Sequence, residues 1–245
     1  LEGLVDTSDD WIKTRTGISE RRRAASDAAV SDLAFPASMR ALEAAGVAPE
    51  ELDLIVVATI TPDTYCPSAA CWLQSRLGAK RAFAFDVNAA CSGFVYGLSV
   101  ADQFIRTGSA RRALFVGAEI MTRVVNWEDR ATCVLWGDGA GAVVLAPSEN
   151  GRGILSSHLY SDGSNGETLT VAGGGSRVTP INRETVDRDL HTLKMNGRDT
   201  FKFAVRAFTE VCAEALRHNQ LTAEEIDLFI PHQANIRIID AAVKR

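Results

Sequence analysis

Apolar and polar positions along this chain switch between two periods, and the switching predicts alternating strands and helices. Leu52 to Ile60 is a near-continuous aliphatic run, the pattern of a strand covered on both faces. Ala82–Val87, Ala113–Val116 and Ala142–Leu145 read as three further strands. Phe94, Leu98, Ala101 and Ile105 recur at helical spacing, so residues 91–106 are expected to form an amphipathic helix. Phe201, Val205, Phe208, Cys212, Ala215 and Leu216 predict a second one over 199–217. Residues 31–45 also read as helical, with Pro36 either kinking the helix or starting it. Glycines and charges between residues 163 and 196 point to a long, loop-rich insertion. The whole is an α/β pattern with a mainly parallel or mixed sheet.

One repeat organises the chain. The ten residues from Val47 to Val56 align with the ten from Leu221 to Ile230, at an offset of 174. In both copies a helix ends, a Glu-Glu loop follows and an apolar strand is expected to begin. Duplication therefore predicts two related halves, 1–150 and 151–245. After the first copy the chain runs on through three more strands, whereas after the second it runs only to Arg245. The second half is thus expected to be truncated and the sequence to be a fragment.

Composition removes several function classes. With 26 Lys+Arg against 31 Asp+Glu the net charge is −5, and the signs are mixed along the chain, so no basic surface argues for nucleic acid. The longest apolar runs fall far short of the ~20 residues of a membrane helix. Five cysteines, an odd and sparse number, argue against a secreted disulfide framework and for a reducing setting, cytosolic or organellar. No Walker loop, Gly-x-Ser-x-Gly, Cys-x-x-Cys or His-Glu-x-x-His is present, so a metal site has no support. Gly137-Asp138-Gly139-Ala140-Gly141 lacks the dinucleotide spacing and reads as a tight turn feeding a strand.

Cys91 stands out among the cysteines. It follows a strand and a short Asn88-Ala89-Ala90 turn and stands where a helix starts, the geometry of a nucleophile elbow. Helix-start amides would favour its thiolate, and small neighbours would admit a substrate. The same residue also reads as a small buried hydrophobe. Cys133 lies in a strand-like run, Cys212 on a helix stripe, Cys71 in a helix and Cys66 in a loop before Pro67. Of the four histidines, His232 differs because Pro231-His232-Gln233-Ala234-Asn235 follows an apolar strand at its C-terminal end, where α/β sheets place their sites. Loop capping is the competing reading of that histidine.

Four motifs together carry a resemblance: Val5-Asp6-Thr7-Ser8-Asp9-Asp10-Trp11-Ile12 with Arg15-Thr16-Gly17; Asn88-Ala89-Ala90-Cys91-Ser92-Gly93-Phe94; Trp136-Gly137-Asp138-Gly139-Ala140-Gly141; and Pro231-His232-Gln233-Ala234-Asn235. In this order they resemble the thiolase-fold condensing enzymes, and within them the β-ketoacyl-acyl-carrier-protein synthase III family, over essentially the whole chain. The resemblance implies a duplicated α/β/α/β/α fold. It also implies the initiating condensation of type II fatty acid synthesis, without metal or redox cofactor, in a cytoplasmic homodimer. Cys91 would take an acyl group from acyl-CoA. Malonyl-acyl-carrier protein would then lose CO2 and attack it, with His232 hydrogen-bonding the developing enolate and the Cys91 N–H contributing to the oxyanion hole.

By the same resemblance, Trp11 and Arg130 sandwich the CoA adenine, while Arg15, Gly197, Phe201, Ala234 and Asn235 line the pantetheine tunnel. Lys202, Arg237, Lys244 and Arg245 match the basic patch that docks the acidic carrier protein; by themselves they read as a solvated helix face. The family's second-half Asn and its glycine-rich oxyanion segment have no counterpart in these residues. Arg198 stands where relatives often carry Asn. Cys66 stands where a partner-subunit aromatic often closes the acyl pocket, which implies room for a longer or branched primer. Competing readings are a starter-unit acyltransferase or condensing enzyme of a polyketide or quinolone pathway, and an inactive scaffold of the same fold. A thiolase would want a second catalytic cysteine.

Overall fold

The computed structural model describes residues 1–178 and 180–244. In chain order the first half contains α1 (Asp9–Thr16), α2 (Val30–Ala45), β1 (Leu54–Ala58), α3 (Ala69–Leu77), β2 (Phe83–Val87), α4 (Gly93–Arg106), β3 (Ala113–Ile120), α5 (Arg130–Cys133) and β4 (Asp138–Leu145). Then come β5 (Leu169–Val171), α6 (Arg183–Asp187), β6 (Leu193–Met195), α7 (Gly197–Asn219) and α8 (Ile236–Val243). The chain forms two compact units. One comprises residues 22–120 and 138–159; the other comprises residues 1–21, 121–137 and those from Tyr160 onward.

The first unit is a three-layer sandwich. Its sheet has the order β2-β1-β3-β4, with β1 parallel to both neighbours and β4 antiparallel to β3. Side chains alternate across it as the pleat dictates. Ile55, Val57, Leu114 and Val116 pack against α2 and α3, whereas Leu54, Val56 and Phe115 face α4. Burial on both sides accounts for the unbroken apolar run of β1. Helix α2 runs through Pro36 from Val30. An internal proline costs about 3 kcal/mol, and the fully packed face of Val30, Ala34, Ser38 and Leu42 offsets it.

Helix α4 lies close to the sheet at Gly97, where a Cβ would come within 2.7 Å of Phe115 Cζ. One turn earlier, a Cβ at Gly93 would be 3.0 Å from Ala58 Cβ. These two glycines set the depth at which the start of α4, and the turn before it, meets the sheet.

The offset of 174 is repeated in hydrogen bonds. Helix α2 ends in left-handed Gly46 with Val47 N–H donating to Leu42 C=O at 3.0 Å; α7 ends in left-handed Gln220 with Leu221 N–H donating to Leu216 C=O at 3.0 Å. A 3-10 turn follows in each copy. Ala48 N–H donates to the Glu51 carboxylate at 2.9 Å, and Thr222 N–H donates to that of Glu225 at 2.8 Å. The packing repeats as well: Ile55 shares a core with Ala34 of α2, and Phe229 meets Phe208 of α7 edge-on at 6.2 Å.

The copies part company after the turn. Residues 226–230 do not form the expected strand; Leu228 and Ile230 are 73% and 78% exposed. A strand exists only where a neighbour completes its ladder, and among the described residues no chain segment pairs with this one, whereas β1 has partners on both edges. Asp138–Gly141 also differ from expectation: they are ladder residues of β4, not a turn, because β3 continues to Ile120 and pairs with them. Cys133 is a buried residue of α5, not of a strand. The insertion contains the β5–β6 ladder and α6 and is tied down where Leu193 N–H donates to Val124 C=O at 2.7 Å.

Candidate active site

Cys91 occupies a 3-10 turn, Ala90–Ser92, between β2 and α4. Ala90 adopts φ +45°, a left-handed conformation that L-residues rarely hold, so the elbow is strained just before the cysteine. Ser92 N–H donates to Ala89 C=O at 3.0 Å and closes the turn. Cys91 is exposed at the mouth of a cavity of about 350 Å³ whose wall includes Phe94, Gly117, Glu119, Gly139 and Gly141. The β3–β4 register puts Gly117 opposite Gly141 and Glu119 opposite Gly139. The space in front of the thiol exists because this part of the sheet lacks side chains.

Two opposed effects act on the Cys91 thiol. Withdrawal from water pushes it above the ordinary thiol range, its own backbone N–H pulls it down, and the Glu119 charge adds to the rise. The net direction is upward, against the helix-start expectation of a favoured thiolate. The site in the absence of substrate therefore holds a protonated thiol.

Glu119 was not legible as a site residue, although a lone carboxylate inside the apolar strand Ala113–Ile120 was a signal. It accepts hydrogen bonds from Ile60 N–H at 2.8 Å, Thr61 Oγ1 at 2.5 Å and Thr59 Oγ1 at 3.3 Å. Burial still holds its carboxyl above the usual range.

The second unit holds the remaining candidates. Ser8 caps α1 by accepting from Trp11 N–H at 3.1 Å, and Asp129 caps α5, which Arg130 starts. The Arg130 guanidinium carbon lies 4.1 Å from the centre of the Trp11 indole and that of Arg15 lies 6.0 Å from it. Arg130 Nε is buried with no hydrogen-bond partner among the described residues. Gly17, at φ +76°, ends α1 against α8: a Cβ there would meet Ile236 Cβ at 3.0 Å. Helix α8 packs in turn on α7. Gly197 starts α7, Phe201 has the Arg237 guanidinium 6.0 Å from its ring, and Asn235 caps α8 by accepting from Arg237 N–H at 2.9 Å. Trp11, Arg15, Phe201, Ala234 and Asn235 are thus held by one α1–α8–α7 arrangement. Lys202, Arg237 and Lys244 are exposed; Arg245 lies outside the described residues.

His232 belongs to this second unit, in the loop before α8 and not at a strand end. Burial lowers the pKa of its imidazole, so the ring is neutral at neutral pH. Among the described residues, no group of three or more His, Cys, Asp or Glu side chains is arranged to hold a metal ion, and no helix is long and apolar enough to cross a membrane.

Sequence profiles match two stretches of the chain. The profile of 3-oxoacyl-[acyl-carrier-protein] synthase III matches residues 85–163, which include Cys91, and the profile of its C-terminal part matches residues 216–245, which include His232. The β-ketoacyl-[acyl-carrier-protein] synthase III of Caldanaerobacter subterraneus is 55% identical over 245 residues, covering 100% of this chain and 74% of the relative. The chain belongs to the synthase III family. Solved structures of synthase III agree. That from Aquifex aeolicus superposes with TM-score 0.88 at 47% identity, over 99% of this chain and 73% of the other, and that from Thermus thermophilus with 0.89 at 44%, over 99% and 74%. The fold is therefore thiolase-like, and as a synthase III the chain is an acyltransferase of the condensing type.

Proposed function

We propose that this synthase III catalyses the initiating condensation of type II fatty acid synthesis, with Cys91 as acyl acceptor and His232 as the group that steadies the enolate. The observation that carries the reading is Cys91 on a strained turn, open to a cavity built from glycines, in a chain whose full length matches synthase III. The Cys91 thiol attacks the acyl-CoA thioester carbon as its proton passes to the departing CoA sulfur, so CoA leaves as the free thiol. The exchange of one thioester for another is nearly isoenergetic, so the acyl group stays activated. In malonyl-acyl-carrier protein the carboxylate C–C bond then breaks. CO2 departs, and the electron pair becomes an enolate whose carbon attacks the acyl-Cys91 carbonyl. Cys91 is released as thiolate, and the product is a 3-oxoacyl-acyl-carrier protein. A neutral His232 donates an N–H to the enolate oxygen as its charge grows. The Cys91 N–H serves the oxyanion of the acylation step. No metal or redox cofactor enters this sequence of bonds.

Trp11 and Arg130 bind the adenine of CoA, and Arg15, Gly197, Phe201, Ala234 and Asn235 line the pantetheine path. Exposed Lys202, Arg237 and Lys244, with Arg245, dock the acidic carrier protein; the net charge of −5 does not oppose a local patch. A homodimer fits the open edge of β2, where Phe83 is 43% exposed and Trp72, on the adjoining α3, is exposed as well. The setting is cytoplasmic, where both thioester substrates are made. The two sequence halves, 1–150 and 151–245, are copies of one ancestral unit. Cys66 leaves room for a longer primer than an aromatic there would allow. The starter-unit alternatives are not favoured, because synthase III relatives match at 55% identity over the whole chain.

Incubation with acetyl-CoA followed by intact mass tests the reading. One acetyl adduct, lost in Cys91→Ser, is expected; an adduct that persists in Cys91→Ser would refute it.

A further inference from the structure

Glu119 is the ionisable side chain besides Cys91 in the wall of the Cys91 cavity. The other wall residues from β1, β3, β4 and the start of α4 are Gly, Ala or Phe. Asp138, next along β4, turns its carboxylate to Ala24 N–H at 2.7 Å. A half-buried carboxylate in an apolar strand is costly unless its oxygens are satisfied. Those of Glu119 are committed to one short turn, through Thr59 Oγ1, Ile60 N–H and Thr61 Oγ1.

That turn reaches the nucleophile. Thr61 Oγ1, while donating to Glu119, accepts from Ile120 N–H at 2.9 Å; Thr59 Oγ1 accepts from Thr61 N–H at 3.1 Å. Thr59 N–H then donates to Val87 C=O at 3.2 Å, the last residue of β2, four positions before Cys91. A continuous set of hydrogen bonds runs from the Glu119 carboxylate to the strand that delivers the elbow.

We propose that Glu119 is a positioning residue for Cys91, fixing the Thr59–Thr61 turn against the end of β2 and placing a carboxylate in the wall of the cavity that the thiol faces. The proposal rests on Cys91 being the acyl acceptor. Two consequences follow from the two roles. Removing the charge eases thiol ionisation, as the Glu119 contribution to the Cys91 shift requires. Removing the hydrogen bonds loosens the elbow, which slows acylation at saturating acyl-CoA without weakening its binding.

The test compares the parent chain with Glu119→Gln, Glu119→Ala and Thr61→Val. Alkylation of Cys91 by iodoacetamide is followed by peptide mass spectrometry from about pH 6 to about pH 10, alongside single-turnover acylation by acetyl-CoA. Glu119→Gln keeps the acceptor oxygen and loses the charge. Its alkylation midpoint is expected to fall and its rate at neutral pH to rise, the direction the Glu119 charge sets. Glu119→Ala is expected to lose about tenfold or more in the acylation rate constant at unchanged KM, with Gln restoring most of that loss. Thr61→Val, which keeps the charge, should slow acylation less and leave the midpoint in place; it carries the positioning arm if the alanine variant misfolds. A Gln profile that superimposes on the parent, or parental acylation in both Thr61→Val and a folded Glu119→Ala, overturns the proposal. Acyl uptake persisting in Cys91→Ser also overturns it, and that result marks the nucleophile assignment as the cause, since the alkylation profile reports on Glu119 whatever Cys91 does.

Discussion

Arg130 lies directly over Trp11, its guanidinium carbon 4.1 Å from the ring centre. Two surfaces this close leave no room between them: a ring inserted at van der Waals distance from both needs about 7–8 Å. If adenine binds between this pair, Arg130 must first withdraw by roughly 3 Å. Its buried, unpartnered Nε gives up no hydrogen bond when it does so. On the proposed assignment of this pair to the CoA adenine, the contact is the closed form.

Replacing the arginine removes the contact with Trp11 and, on the proposed assignment, the one with adenine. Arg130→Ala is expected to raise KM for acyl-CoA by about 5- to 30-fold, the equivalent of a ~1–2 kcal/mol cation–π contact, with a smaller effect on kcat. Arg130→Lys should restore little of it, because an ammonium lacks the planar face that stacks. Steady-state kinetics with acyl-CoA varied checks this; parental KM in Arg130→Ala would remove Arg130 from the site.

On the proposed assignment, His232 acts in the condensation half-reaction and not in acylation. Its pKa is lowered by burial, so the neutral, N–H-donating ring persists below the ordinary histidine value near ~6.5. The acid limb of malonyl-carrier-protein decarboxylation that belongs to His232 should accordingly lie below that value, and activity should fall as pH drops through it. In His232→Ala decarboxylation is expected to fall by about 10²–10³, while acetylation of Cys91 by acetyl-CoA continues. Loss of both together would show that His232 shapes the elbow and does not serve the enolate.

Much of this site could be read from the sequence because its signals are local. Cys91 follows an apolar strand and precedes an apolar helical period, and both elements formed within a residue or two of expectation. The repeat was equally plain, since a helix stop and a Glu three residues after the cap are short-range chemistry that reappears bond for bond at 174 residues' distance. What misled was whatever depends on a partner. Residues 226–230 have the composition of β1 but not its neighbours. Gly139 and Gly141 look like a turn until β3 is seen to extend far enough to pair with them. The Cys91 pKa followed the same rule. A helix start is visible in sequence, but the cavity the thiol faces is lined by residues of β3 and β4 far along the chain.

The repeated turn gives a matched pair of variants. Glu51 and Glu225 close equivalent caps at 2.9 and 2.8 Å, but Glu51 also pairs with Arg112 at 3.1 Å. Glu225→Ala should cost about 0.5–1.5 kcal/mol through its cap alone. Glu51→Ala should cost slightly more, by the few tenths of a kcal/mol of an exposed ion pair. Urea denaturation at low and high salt checks both: the difference between the two variants should shrink as salt rises, while the shared cap contribution should not.

The closest approach in the first unit gives the last prediction. Gly97 on α4 admits no Cβ without displacing the Phe115 ring, which is itself fully buried between α4 and the sheet. Gly97→Ala gains helix propensity, about 1 kcal/mol, yet overpacking of this kind costs about 1–3 kcal/mol, so the net effect is destabilising. With Phe115 fully buried, the strain is relieved by lifting α4, and Cys91 sits on the turn that starts this helix. Acylation should therefore fall along with the melting temperature. A smaller side chain beneath should accommodate the methyl: the double variant Gly97→Ala/Phe115→Leu is expected to regain acylation relative to Gly97→Ala, although Phe115→Leu alone lowers stability. Thermal melts and single-turnover acylation of the three variants measure the coupling. Strict additivity of the two substitutions would mean that the Gly97–Phe115 contact does not set the height of the elbow.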